Sequence, residues 1–238
     1  MATEWSRVRI PAFAYQKMAA GSEGVIVKNA SGISSLKDIA GKKFAVNRGG
    51  TGEYLLMRGL EKNGVDPSTV RRVYLSPSDS GPSFVQGHVD ACATWDPFLT
   101  IAEKTYDGKV LADGAAIGSD NPVVLVASRE FASKKLDQLQ AIFDVVEKRE
   151  CLCAIWAKEM NIPAELGAKI GENNAVPMTA VTDADVKQIG TIAEWYVKSG
   201  IIPATPDIAV GVITTEVGRT LKLFRQEHQR RSCRMFVD

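Results

Sequence analysis

The chain has 238 residues, 45% hydrophobic and 24% charged, with a formal net charge of +1. That balance excludes the large single-sign field that draws a protein to nucleic acid or an anionic membrane, and the length leaves room for one or two domains. No apolar run reaches the roughly 18 residues of a membrane-spanning helix, and MATEWSRVRIPAFAYQKM lacks the apolar core and cleavage site of a signal peptide.

In chain order, Gly24–Lys28 is a short apolar run bounded by glycine and polar residues, which predicts a buried strand. Ser35–Ile39, followed by Gly41, predicts one helical turn, and Lys43–Val46 the next strand. A helix is expected from Thr51 or Gly52, with Leu55, Leu56 and Leu60 as its apolar stripe and Asn63-Gly64 as its stop. Asp66-Pro67 is an N-cap followed by proline at the first helical position. Val73–Leu75 predicts a strand and Ser83–Gln86 a helical segment, and then Ala91–Trp95, Lys109–Leu111 and Pro122–Ala127 predict strands. Leu136–Lys158 carries a helical period (Leu139, Ile142, Phe143, Val146), as does Asp183–Lys198 (Val186, Ile189, Ile192, Trp195, Tyr196). Alternating strands and helices with a helical end predict an α/β protein with a largely parallel sheet. Arg219–Asp238 holds six basic residues against Glu227 and Asp238. Such a tail can touch nucleic acid or anionic lipid, but more often it is a disordered end.

The four cysteines are not a disulfide framework in a chain of this length. Cys92 falls in a strand. Cys151 and Cys153 are two apart on an expected helix, so they point to different faces. With His88 and His228 remote from each other, no metal site and no Ser-His-Asp arrangement is expected, and nothing in the chain calls for a cofactor.

Three turns at strand ends are the candidate site. In Arg48-Gly49-Gly50-Thr51-Gly52-Glu53, glycines let the backbone approach a ligand, and Thr51 places a hydroxyl beside the N–H groups of a helix start. The spacing fits neither a P-loop nor a dinucleotide fingerprint. Arg48 favours an anion, whereas Glu53 repels one unless it points away. In Ser76-Pro77-Ser78-Asp79, Ser78 or Asp79 is a natural N-cap, and capping alone accounts for both. In Trp95-Asp96-Pro97, the tryptophan either fills core or walls a pocket. Asp96 either caps the next helix or binds a cationic group.

GVIVKNASGISSLKDIAGKKFAV, the turn at Arg48–Glu53, VRRVYLSPSDSGPSFVQGHVDACATWDPF, GKVLADG and PVVLVASREF, taken in that order, resemble the substrate-binding proteins of ABC importers for aliphatic sulfonates, taurine and nitrate. The resemblance covers roughly Gly24–Ala209. It implies an α/β, periplasmic-binding-protein-like type II clamshell of two lobes joined by hinge strands, with Val25–Lys28 and Val123–Ala127 as the crossings. Residues 1–36 and 122–218 would form a partial lobe I, 37–121 lobe II, and 219–238 a basic tail. Lobe I would be incomplete, because family chains carry a leader and a first βαβα portion ahead of the segment matching Gly24. By the same resemblance the chain is a periplasmic solute-binding component, not an enzyme. It would hold a small organosulfonate or related anion between its lobes and deliver it to a permease in the inner membrane. The hydroxyl and backbone N–H groups at Gly49, Gly50, Thr51 and Gly52, together with Trp95, match the family's ligand contacts. Arg48, Ser78, Asp79 and Asp96 complete the candidate set. The alternatives are an enzyme on the same fold, sulfinate-cleaving or making a thiamine pyrimidine, with Cys92 as its reactive group, and an interaction module that pairs with another chain.

Overall fold

The computed structural model describes residues 12–17, 19–119, 122–135, 137–139, 141–142, 157–174, 179–206 and 208. They fall into two units. One is drawn from the spans Met1–Lys17, Pro122–Lys148 and Pro177–Asp238, the other from Met18–Asn121 and Arg149–Val176.

The second unit is built on a five-stranded sheet. Its strands are β2 (Glu23–Lys28), β3 (Lys43–Val46), β4 (Arg71–Tyr74), β5 (Ala91–Trp95) and β6 (Gly108–Asp113), in the order β4-β3-β5-β2-β6. Side chains alternate across the sheet, as the two-residue period of a strand requires. Val25, Val27, Phe44, Val46, Ala91 and Ala93 join a core with Leu55, Leu56 and Leu60 of helix α1 (Thr51–Lys62). Ile26, Ala45 and Cys92 join a second core with Phe84 of α2 (Pro77–Val85) and with Leu99 and Ala102 of α3 (Phe98–Thr105). Each fully buried leucine of α1 contributes about 1.5–3 kcal/mol relative to an exposed one. A short α4 (Gly114–Ile117) follows β6 and adds Ile117 to the first core. Helix α6 (Ala164–Asn173) also belongs to this unit.

The first unit carries an antiparallel sheet, β7-β1-β8, in which β1 (Ala12–Lys17) lies between β7 (Pro122–Val126) and β8 (Thr179–Ala180). Helix α5 (Arg129–Lys134) follows β7. Helix α7 (Asp183–Lys198) starts with a reciprocal capping box between Thr182 and Asp185. It packs Val186 and Ile189 against Tyr15 and Val181, and the Tyr15 hydroxyl donates to Gln188 at 2.8 Å.

Three expectations change. The main sheet is mixed rather than largely parallel: β3 is parallel to β4 and β5, while β2 is antiparallel to both β5 and β6. Alternation of strand and helix sets the direction of β3, β4 and β5 through their crossovers. It says nothing about β2, which enters before the first crossover. Second, β2 is not a hinge crossing, because it is hydrogen-bonded on both edges inside one sheet and Val25–Val27 are fully buried. The boundary between units accordingly falls after Lys17, not after residue 36. Third, α2 begins at Pro77 rather than Ser83, because Ser76 already supplies the cap. Of the helix expected over Leu136–Lys158, residues 137–139, 141–142 and 157–158 are described, all helical. Its remainder, Cys151, Cys153, His228 and the tail Arg219–Asp238 lie outside the described residues.

Candidate functional site

Because β4, β3 and β5 are adjacent and parallel, the turns that follow them open on one edge of the second unit's sheet. The carboxyl ends of parallel strands are where open α/β sheets receive ligands. The first turn is held by a residue that the sequence reading passed over. The Asn47 side-chain oxygen accepts the Gly52 N–H at 2.9 Å, and its backbone carbonyl accepts the Gly50 N–H at 3.2 Å. Gly49 takes φ 64°, the left-handed conformation that glycine adopts freely. Gly52 is set by packing, since a Cβ there would strike the Ala93 carbonyl oxygen. The amides of Gly49, Gly50 and Gly52 are thus engaged by the protein itself. Thr51 is different: among the described residues, neither its N–H nor its hydroxyl has a hydrogen-bond partner.

Glu53 resolves the question of its charge. It is 2% exposed, and one carboxylate oxygen accepts from Arg72 at 2.8 Å and from the Tyr74 hydroxyl at 2.9 Å. The other accepts the Gly49 N–H at 2.7 Å. The carboxylate is turned inward and matched by a guanidinium, so it does not oppose an anion at the helix start. Arg48 is exposed, with its guanidinium 4.7 Å above the Tyr74 ring. The sequence reading singled out neither Arg72 nor Tyr74, and its strand Val73–Leu75 left Arg72 outside, whereas β4 begins at Arg71.

The second turn is a cap. The Ser76 hydroxyl accepts the Asp79 N–H at 3.2 Å and donates to the Asp79 carboxylate at 2.6 Å, while the Ser78 and Ser76 hydroxyls pair at 2.8 Å. Ser76, not Ser78 or Asp79, is therefore the N-cap. Asp79 places its own negative charge at the α2 start, so the positive end of that helix is already occupied.

In the third turn Trp95 is half-buried and meets Phe98 edge-on, at 6.5 Å and 89°. Asp96 is buried and saturated. One oxygen accepts the Thr100 N–H and hydroxyl at 2.9 and 2.6 Å, and the other accepts the side-chain amides of Asn173 and Asn174 at 3.0 and 3.3 Å. Burial holds its carboxyl above the usual 3.8, against the pull of these donors. Asp96 therefore caps α3 and ties it to the end of α6, leaving no oxygen for a ligand cation. Cys92 is buried, and burial pushes its thiol up to about 12. Burial disfavours the thiolate that a nucleophile needs, which counts against Cys92 as the reactive group of an enzyme.

Among the described residues no helix is long and apolar enough to cross a membrane, and no group of three or more His, Cys, Asp or Glu is placed to hold a metal.

Residues 14–149, more than half of the chain, match the family described as NMT1/THI5 like. The chain belongs to the NMT1/THI5-like family. Within known proteins, this NMT1/THI5-like chain is 27% identical over 196 residues to a putative aliphatic sulfonates-binding protein of Escherichia coli, covering 79% of the chain and 61% of that protein. It is 31% identical over 138 residues to the taurine-binding periplasmic protein of the same organism, covering 57% and 42%. The crystal structure of the periplasmic aliphatic sulphonate binding protein from Escherichia coli superposes with a TM-score of 0.75 at 26% identity, over 86% of this chain and 69% of that one. The NMT1/THI5-like chain spans about three fifths of the length of the sulfonates-binding relatives it matches.

Proposed function

We propose that this chain is the solute-binding part of an ABC importer. It takes up an aliphatic sulfonate, taurine or a nitrate-like anion in the periplasm and hands it to a permease in the inner membrane. The observation that carries this reading is the start of α1: an unengaged Thr51 amide and hydroxyl stand at the positive end of a helix beside the exposed Arg48, while the one carboxylate in the first turn is neutralised by Arg72. Support also comes from the three parallel-strand turns opening on one edge and from the sulfonate- and taurine-binding relatives.

The test is a calorimetric titration of the full chain with ethanesulfonate, taurine, nitrate and sulfate. Saturable heat is expected with at least one of them. Thr51→Val should weaken that anion about fivefold, the value of one hydrogen bond of roughly 1 kcal/mol, and Thr51→Ser should restore it. Silence across the panel from a folded protein would sink the proposal.

A further inference from the structure

The chain passes between its two units four times, after Lys17, Asn121, Lys148 and Val176. The third passage lies outside the described residues. In the first unit the ends of the other three meet in one sheet: Lys17 of β1 pairs with Pro122 of β7, and Tyr15 with Thr179 of β8. In the second unit the corresponding ends are a 3₁₀ turn, Ala20–Ser22, ahead of β2, then α4 after β6, and the end of α6.

Asp96 joins the first and last of these. Its N–H donates to the Ser22 carbonyl at 2.7 Å, and one carboxyl oxygen accepts from Asn173 and Asn174 at 3.0 and 3.3 Å. Asn173 also donates to the Thr100 hydroxyl at 3.1 Å, and it lies against the turn, since a Cβ on Gly21 would sit 3.7 Å from its side-chain oxygen. Ser22, Asp96 and Thr100 are 0%, 5% and 2% exposed, and a buried polar network whose members are paired rigidifies the place it occupies. Capping α3 uses the other oxygen of Asp96 alone. The bonds to Ser22, Asn173 and Asn174 are therefore additional to the cap, and they order side chains and backbone from three separate segments.

We propose that Asp96 is a clasp that fastens the passage before Ser22 and the passage after Asn174 to each other and to the turn carrying Trp95. The three segments then open together, in one local event that leaves β3 and α1 folded. A displacement of the Trp95 turn is thereby a displacement of both passages. The clasp does not depend on what the α1 turn binds, and its test needs no ligand.

The test is amide hydrogen exchange on the full chain, as wild type, Asn173→Ala and Gly64→Ala. The reporters are the amides of Ser22, Asp96 and Asn174, bonded to Ala19, Ser22 and Ile170. In the wild type all three should exchange with one opening free energy, smaller than that of β3. Asn173→Ala should speed all three about fivefold, the value of one hydrogen bond. Alanine is a better helix former than asparagine, so an Asn173 that served only α6 would leave Ser22 and Asp96 unchanged and Asn174 unchanged or slower. Gly64→Ala, at the end of α1, lowers global stability and should speed β3 while leaving the three reporters as they were. Three results overturn the clasp. Ser22 and Asp96 fail to respond to Asn173→Ala, the three reporters open with different free energies in the wild type, or Gly64→Ala speeds them as much as it speeds β3.

Discussion

At Glu53 a buried carboxylate takes hydrogen bonds from Arg72, the Tyr74 hydroxyl and the Gly49 amide. Glutamine there keeps one oxygen, turns an N–H₂ toward a former donor and leaves Arg72 without its counter-charge. Arg72 is about a third exposed, so water recovers part of that loss, and Glu53→Gln should cost about 2–3 kcal/mol in urea unfolding. An unchanged midpoint would show that the network does not hold the turn. Asp96 makes a prediction of opposite electrostatic sense. Burial raises its folded pKa above 3.8, so the folded chain keeps that proton at pH values where the unfolded chain has lost it. The carboxyl's contribution to stability is then largest below 3.8 and declines as pH rises through the raised value. The stability gap between wild type and Asp96→Ala should therefore be wider at pH 3.5 than at pH 7. A gap that widens toward neutral pH would mean that the donors from Thr100, Asn173 and Asn174 outweigh burial.

At the scale of elements, α1 lies against β5 only because Gly52 meets Ala93 without a side chain. Gly52→Ala drives a Cβ into a strand carbonyl, which neither helix nor strand can yield without losing packing, so a cost above about 3 kcal/mol or failure to fold is expected. Gly64, just past α1, has φ 66° and open space around it, so Gly64→Ala pays only the left-handed backbone cost, about 1 kcal/mol. Equal effects in thermal unfolding would refute the close-packing account. The same contrast explains what was legible beforehand. β3, α1, β5 and α7 lie where the sequence places them, because local period and local stop signals coincide there, as with the Thr182–Asp185 box ahead of the α7 stripe. The direction of β2 was not legible, because no nearby residue encodes which strands it will pair with. At the candidate site, the Thr51 turn could be read from its glycines. The engagement of Asp96 by Asn173 and Asn174 could not, since those partners lie more than seventy positions away. Ser78 and Asp79 looked like ligand groups because capping and anion binding draw on the same residue types.

For the whole molecule, the described residues of the two units differ in the cores they share. In the second, β2, β3, β5 and α1 share fully buried Val25, Val27, Phe44, Leu55, Leu56 and Leu60. In the first, the sheet and α7 meet around Tyr15 and Val181, with Val124, Val186 and Ile189 half-covered. Opening free energy follows buried apolar area, so amides of β2, β3 and β5 should exchange slowest, by global unfolding, and those of β1 and β7 faster. Anion binding adds a separate signature. A ligand at a hundred times its dissociation constant stabilises the folded state by about 2.7 kcal/mol, and a fivefold weaker Thr51→Val should show about 1 kcal/mol less at the same concentration. If the anion sits at the start of α1, the Thr51 amide, which has no hydrogen-bond partner among the described residues, should slow by more than this global increment. Hydrogen exchange with and without ethanesulfonate separates the two effects. Uniform slowing, with no excess at Thr51, would place the anion elsewhere on the molecule and leave the α1 turn as a strand-to-helix connection.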